Sequence, residues 1–183
     1  GDGKNDFMIQ RANPAAPSNG QFVLLRSSDF GVEYINWGLS TDFLIPGDYD
    51  GDGKTDIMVR RTVSGNRQHW LLTRTGLQNF FVWGVTGDVS TPGDYDGDGK
   101  TDVAVFRGGV WYVKQSSNSQ AAYYPWGLDT DVLVPADFDG DGKTDPAVYR
   151  NGVWYVRNSS SGSLSVTNFG IATDKPVANS FVR

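Results

Sequence analysis

The sequence predicts an all-β chain, a β-propeller built from four four-stranded blades of about 46 residues. Composition is the first reason. The acids are 20 Asp and a single Glu, Glu33, beside 23 Gly, 8 Pro and 13% aromatic residues. Helix surfaces carry Glu freely, whereas Asp and Gly belong to turns, and aromatic residues favour strands. The second reason is repetition. The string Gly47-Asp-Tyr-Asp-Gly-Asp-Gly-Lys-Thr-Asp56 returns unchanged at 93–102 and, with Ala and Phe substituted, at 136–145; residues 1–6 are its back half. The closing Asp residues 6, 56, 102 and 145 are spaced by 50, 46 and 43 positions. The third is that every other feature keeps phase with this loop.

In order after each loop, a short apolar stretch ends at Arg11, Arg61, Arg107 or Arg150. A turn such as Gly108-Gly109 or Asn151-Gly152 follows, then an aromatic-bearing run: 21–25, 69–72, 110–113 or 153–156. A polar turn leads to a third run ending in Trp37-Gly38, Trp83-Gly84, Trp126-Gly127 or Phe169-Gly170. A short segment with Asp42, Asp88, Asp131 or Asp174 leads into the next loop. Short β-rich runs separated by such turns read as antiparallel strands. A four-stranded sheet cannot bury both faces alone, so the repeats are expected to stack as blades, with the six tryptophans as packing residues.

A single domain over 1–183 is expected, with blade 1 at 175–183 plus 1–39, blade 2 at 43–84, blade 3 at 89–127 and blade 4 at 132–170. Aligning Asp174 with Asp131 places Ser180 on Asp137 and Val182 on Asp139, and the chain stops where Gly1 takes up the motif. The C-terminal strand is therefore expected to complete blade 1 and close the ring, which removes open sheet edges. A longer array of blades, or a strand lent to the next subunit of a head-to-tail filament, are the alternatives.

Charge and rare residues narrow the function. The formal net charge of −5 gives no basic excess to hold a phosphate backbone, so nucleic acid is not an expected partner. One histidine, His69, and no cysteine exclude disulfides, thiol chemistry and Cys/His zinc sites. His69 reads as a strand residue at a position held by Val in two other copies, not as a catalytic base. No apolar run has membrane-spanning length. Eighteen of the 20 Asp occupy repeat positions and only Asp29 and Asp129 do not, so no catalytic residue stands out and none is expected.

The chemistry lies in the acidic loop. Asp48, Asp50, Asp52 and Asp56, with the carbonyl of Lys54, place oxygen donors at positions 1, 3, 5, 9 and 7 of a Gly-assisted turn. The counterparts are Asp94, Asp96, Asp98, Lys100 and Asp102, then Asp137, Asp139, Asp141, Lys143 and Asp145. Carboxylates so crowded repel unless a cation joins them, and calcium accepts six to eight oxygens in flexible geometry, which magnesium does not. An EF-hand is excluded, because Val59, Val105 and Val148 stand where its twelfth-position acid would be. The first copy retains only Asp2, Lys4 and Asp6, a weak fourth site.

These three Asp-x-Asp-x-Asp-Gly-x-x-Asp loops resemble FG-GAP/VCBS-type repeats, the calcium-loop blades similar to those of integrin α-subunits, over essentially the whole chain. The resemblance implies a propeller with calcium between the first two strands of a blade, secretion or cell-surface display, and adhesion or macromolecule binding. The integrin-like ring holds more blades than the four repeats here. The expected function is thus a non-catalytic, extracellular calcium-binding module for a protein or glycan. A structural filament subunit and an accessory domain of a secreted carbohydrate-active enzyme are the alternatives. The loops at 12–20, 62–67, 115–120 and 159–163, which differ in length and composition, are the expected recognition surface. The repeated arginines are expected to pair with Asp42, Asp88, Asp131 and Asp174 between blades.

Overall fold

In the computed structural model, residues 6–177 are described. Among them the chain is all-β, with fifteen strands and no helix. Four antiparallel sheets form in chain order. The first joins β1 (Phe7–Asn13), β2 (Ala16–Leu25) and β3 (Val32–Leu39). The second joins β4 (Phe43–Leu44), β5 (Ile57–Val63), β6 (Asn66–Leu72) and β7 (Gln78–Val85). The third is β8 (Val89–Ser90), β9 (Val103–Arg107), β10 (Val110–Lys114) and β11 (Ala121–Pro125). The fourth is β12 (Val132–Leu133), β13 (Ala147–Arg150), β14 (Val153–Arg157) and β15 (Leu164–Asn168). Each is a meander whose neighbours in sequence are neighbours in the sheet. Of the segment expected to complete the first sheet, 175–183, residues 175–177 form no strand and 178–183 lie outside the described residues.

The described residues pack as two compact units, 6–48 with 52–82 and 49–51 with 83–177. In the first, Phe22, Ile57 and Val59 form a buried cluster covered by Met8, Ile35, Trp37 and Trp70. In the second, Tyr95, Ala104, Phe106, Trp111, Val113 and Val148 do the same, and Val134, Ala147, Tyr149 and Val156 form a further cluster. Both arrangements set one sheet's face against the next, which is how a four-stranded meander buries its apolar rows. The corner tryptophans fasten these junctions as well as filling them. Trp37 Nε1 donates to the Trp70 carbonyl (3.2 Å), Trp83 to Tyr112 (3.1 Å) and Trp126 to Tyr155 (3.3 Å). An indole at each corner thereby satisfies its donor in the following sheet.

The corner itself explains the invariant aromatic-Gly pair within the repeats. Gly84 (φ +88°) and Gly127 (φ +89°) occupy the left-handed region. A methyl group on Gly127 would lie 2.8 Å from Val148 and 3.3 Å from the Asp131 carboxylate, so both space and backbone demand glycine. The Asp four residues after the glycine closes the turn. Asp42 accepts the amide of Leu39, Asp88 that of Val85 and Asp131 that of Leu128, each at 2.8 Å. The repeated arginines bind these same carboxylates: Arg61–Asp42 and Arg150–Asp131 are two-pronged at 2.6–2.7 Å, and Arg107–Asp88 spans 3.3 Å. Each Asp thus ties the end of one sheet to the second strand of the next. Arg61, Arg107 and Arg150 also lie over Trp70, Tyr112 and Tyr155. Arg11 departs from the pattern: its Nε donates to Gln21.

One alignment needs correction. Phe106 pairs with Trp111 and Tyr149 with Trp154, but Arg60 pairs with His69, and Trp70 lies opposite Val59. His69 therefore occupies the place of Trp111 and Trp154 and not that of a valine. Both hairpin turns, 64–65 and Gly108-Gly109, hold two residues, but β5 and β6 pair for two residues beyond Arg61, so Gln68, not His69, lies opposite the repeated arginine as Val110 lies opposite Arg107. His69 is fully buried and stacks on Phe81 at 5.2 Å and 7°.

Candidate metal centre

The three complete loops share one construction. At the base an isolated bridge joins Gly47 to Asp56, Gly93 to Asp102 and Ala136 to Asp145. The tip is turned by glycines at positions 4 and 6 with positive φ, Gly51 and Gly53 in the first copy. The position-1 carboxylate caps those glycine amides. Asp94 accepts Gly97 (2.6 Å) and Gly99 (2.9 Å), Asp137 accepts Gly140 (2.7 Å) and Gly142 (3.0 Å), and Asp48 accepts Gly53 (2.9 Å). Asp side chains that bind backbone two to five residues on hold such a turn without help from a sheet.

The closing Asp is the anchor. Asp56, Asp102 and Asp145 are all fully buried. One oxygen of Asp102 accepts the Tyr95 amide (2.8 Å), as Asp145 accepts Phe138 (2.8 Å). The other oxygen accepts an amide from the hairpin after the third strand: Arg74 for Asp56 (2.8 Å), Ser116 for Asp102 (2.7 Å) and Ser159 for Asp145 (2.6 Å). Burial pushes the Asp102 carboxyl above its ordinary range, against the lowering effect of those amides.

Around that anchor the loop gathers three carboxylates. Asp48, Asp50 and Asp56, then Asp94, Asp96 and Asp102, then Asp137, Asp139 and Asp145 each bring oxygens within 4.8 Å of one another. Each triad joins positions 1, 3 and 9. An ionised carboxylate accepts about four hydrogen bonds, so one that takes two amides, as Asp94, Asp102 and Asp137 do, keeps acceptor capacity for a cation. Three crowded carboxylates, one of them buried, make an arrangement that could hold a metal ion. The triad at 137–145 is the most open, with Asp137 and Asp139 exposed where Asp94 and Asp96 are half-buried.

The position-5 carboxylate stands apart from the triads. Asp52 accepts the Lys54 amide (2.9 Å) and ammonium (3.1 Å), which holds it below the usual carboxylate range. Asp98 and Asp141 accept the amides of Lys100 and Lys143 and the hydroxyls of Ser116 (2.8 Å) and Ser159 (2.9 Å). In the first repeat, Asp6 is held below its ordinary value by the Ser27 amide and then the Ser27 hydroxyl. Asp2 and Lys4 lie outside the described residues.

The serines are what sequence reasoning missed. Ser117 Oγ donates to Asp96 (2.6 Å) and Ser160 Oγ to Asp139 (2.7 Å), and the latter bond lowers the Asp139 carboxyl. Segments expected to form free recognition loops are thus partly committed to the acidic loops. The signal was present: Ser116-Ser117 and Ser159-Ser160 each begin 14 positions after the closing Asp, and Ser27-Ser28 lies in the turn after the matching strand of the first repeat. No protein-family model and no curated protein matches the chain.

Proposed function

We propose that this chain is a calcium-stabilised β-propeller module of the FG-GAP/VCBS type. In this reading it is secreted or displayed at a cell surface and serves in adhesion or in binding a protein or glycan, without catalysing a reaction. The observation that carries the reading is the recurrence, in three repeats, of the same three carboxylates gathered around a fully buried Asp. Four consecutive antiparallel meanders, packed face to face within each unit, support blades. Calcium is favoured over magnesium because the donors are carboxylates on a glycine-rich loop that can supply many oxygens without strict octahedral geometry. Three ions would bring the formal charge from −5 to about +1, so their role is to cancel clustered charge and fix the link between first and second strands. Extracellular modules bind calcium at roughly 10⁻⁴–10⁻³ M, the range of a calcium-rich exterior.

Melting the protein with EDTA and with millimolar calcium tests this. Ions that bind only the folded state raise the melting temperature by mass action, about 2.7 kcal/mol per site at a hundredfold excess over Kd. Superimposable melting curves would remove the ion from the account.

A second reading, head-to-tail self-association, has its own support. Phe7 and Ile9 are 69% and 59% exposed, whereas the equivalent Ile57, Val59, Val103 and Val105 are at most 6% exposed. That face of the first sheet carries the same apolar row that other repeats bury, and the fourth repeat of another copy would offer it the exposed Phe138 and Phe169.

A further inference from the structure

We infer that the paired serines Ser116-Ser117 and Ser159-Ser160 are positioning residues that couple ion occupancy of the acidic loops to the order of the outer hairpins. The inference rests on the ion-binding reading above and adds a route by which the ion would control the surface. Each serine pair lies at the start of the turn between the third and fourth strands of its sheet, at 115–120 and 158–163. The hydroxyl of the first serine binds position 5 of the loop, and that of the second binds position 3. The amide of the first serine binds the buried closing Asp. The amide of the second serine also reaches position 3, at 3.3 Å, so four bonds from two consecutive residues grip three of the loop's four carboxylates, two of which belong to the triad.

The chemistry of such a grip is that of an outer shell around a metal. A hydroxyl bonded to one carboxylate oxygen fixes the rotation of the carboxylate and so the direction of the other oxygen. Without an ion the serines hold carboxylates that repel one another; with an ion those carboxylates become rigid and the hairpin is anchored to a fixed base. The turns are also self-bonded, Ser119 to Gln115 (2.9 Å) and Gly162 to Asn158 (2.7 Å), so anchoring the first two residues orders the rest. The second repeat departs from this design. Arg74 stands where the first serine would be, its guanidinium binds Glu33 (3.0 Å), and Asp52 takes Lys54. Its hairpin shares the backbone anchor to Asp56 but not the first hydroxyl, so the loop at 48–56 serves as an internal contrast.

The test is a calcium titration by calorimetry, with hydrogen exchange of the two hairpins followed in EDTA and in calcium. Wild type, Ser116→Ala/Ser117→Ala, Ser159→Ala/Ser160→Ala and the hydroxyl-retaining Ser117→Thr and Ser160→Thr are compared. Each double alanine variant is expected to weaken one site by about 10-fold or more, the range for lost outer-shell partners. Calcium should slow exchange at 115–120 and 158–163 in wild type and in the threonine variants, and should lose that effect in the altered hairpin of each alanine variant. A purely structural role would lower the melting temperature in EDTA and leave affinity and calcium-dependent exchange unchanged, which would overturn the inference. Wild-type protein that binds no calcium would instead overturn the ion-binding reading beneath it.

Discussion

His69 shows most sharply how one residue can depart from a repeat at an energetic cost. It fills a place that Trp111 and Trp154 fill elsewhere, yet neither ring nitrogen has a hydrogen-bond partner in good geometry, and the Nε of its cross-strand neighbour Arg60 is also buried without one. Burial first, then the Arg67 charge, depress its pKa to about 4, against a smaller raising effect of the Arg67 backbone. The folded state therefore resists a proton that the unfolded state accepts below about 6.5. Stability is fully present above pH 6.5 and is lost as pH falls toward 4, by about 3 kcal/mol. His69→Phe should flatten that slope relative to wild type and raise stability at neutral pH, because a ring without nitrogens leaves no buried polar atom unmatched. Denaturant melts at pH 4.5 and 7 check this; an equal slope in both proteins would mean that His69 is not the titrating group. Chain position alone did not expose this departure. The tryptophan at 70 masked a one-residue shift, and only the pairing of Arg60 with His69 places the imidazole inside.

The corner that links successive sheets condenses several physical demands into few residues. An aromatic donor, a left-handed glycine, an Asx-type turn and an arginine recur together, and removing one exposes the others. Gly127→Ala forces a methyl group to within 2.8 Å of Val148 in a backbone region costly to other residues, and should destabilise by about 2 kcal/mol or more. Gly76→Ala, with φ +90° but nothing within 4 Å of the added carbon, should cost only the backbone share, about 1 kcal/mol. Thermal melting of the two variants separates packing from conformation. Most of this element was legible in the sequence, because Gly, Asp and Arg recurred in phase with the loop. The pairing of Arg61 and Arg150 with the turn Asp was readable from that phase as well. Arg11 was not, since its departure depends on Gln21 lying across the strand pair. The serine grip was hidden for a different reason: hydroxyls in a Ser/Asn/Gly turn look like ordinary loop composition until the loop they touch is placed beside them.

At the scale of the whole chain, four repeats produce four sheets whose internal faces are buried and whose ends differ. Phe7 and Ile9 at one end, and Phe169 (75% exposed) and Phe138 (43%) in the fourth repeat, are the counterparts of side chains that are buried or half-buried in internal repeats. If copies associate through these faces, sedimentation should show mass rising with concentration, and Phe7→Asp/Ile9→Asp should abolish that rise; a single species at all concentrations would exclude it. The all-β class and the strand order followed from turn chemistry and period, because each repeat restates the same local rules. Among the described residues the first sheet has three strands where the other three have four. The three triads are where sequence and geometry meet most closely. Alternate Asp positions foretold convergence, whereas the separation of position 5 depended on serines and a lysine that spacing alone does not orient. The most direct measurement is therefore a crystal structure grown in calcium, with anomalous scattering recorded for the loops at 48–56, 94–102 and 137–145. A peak inside each triad, with carboxylate oxygens at about 2.3–2.6 Å, is the expected result. Three triads occupied by water alone in millimolar calcium would contradict it.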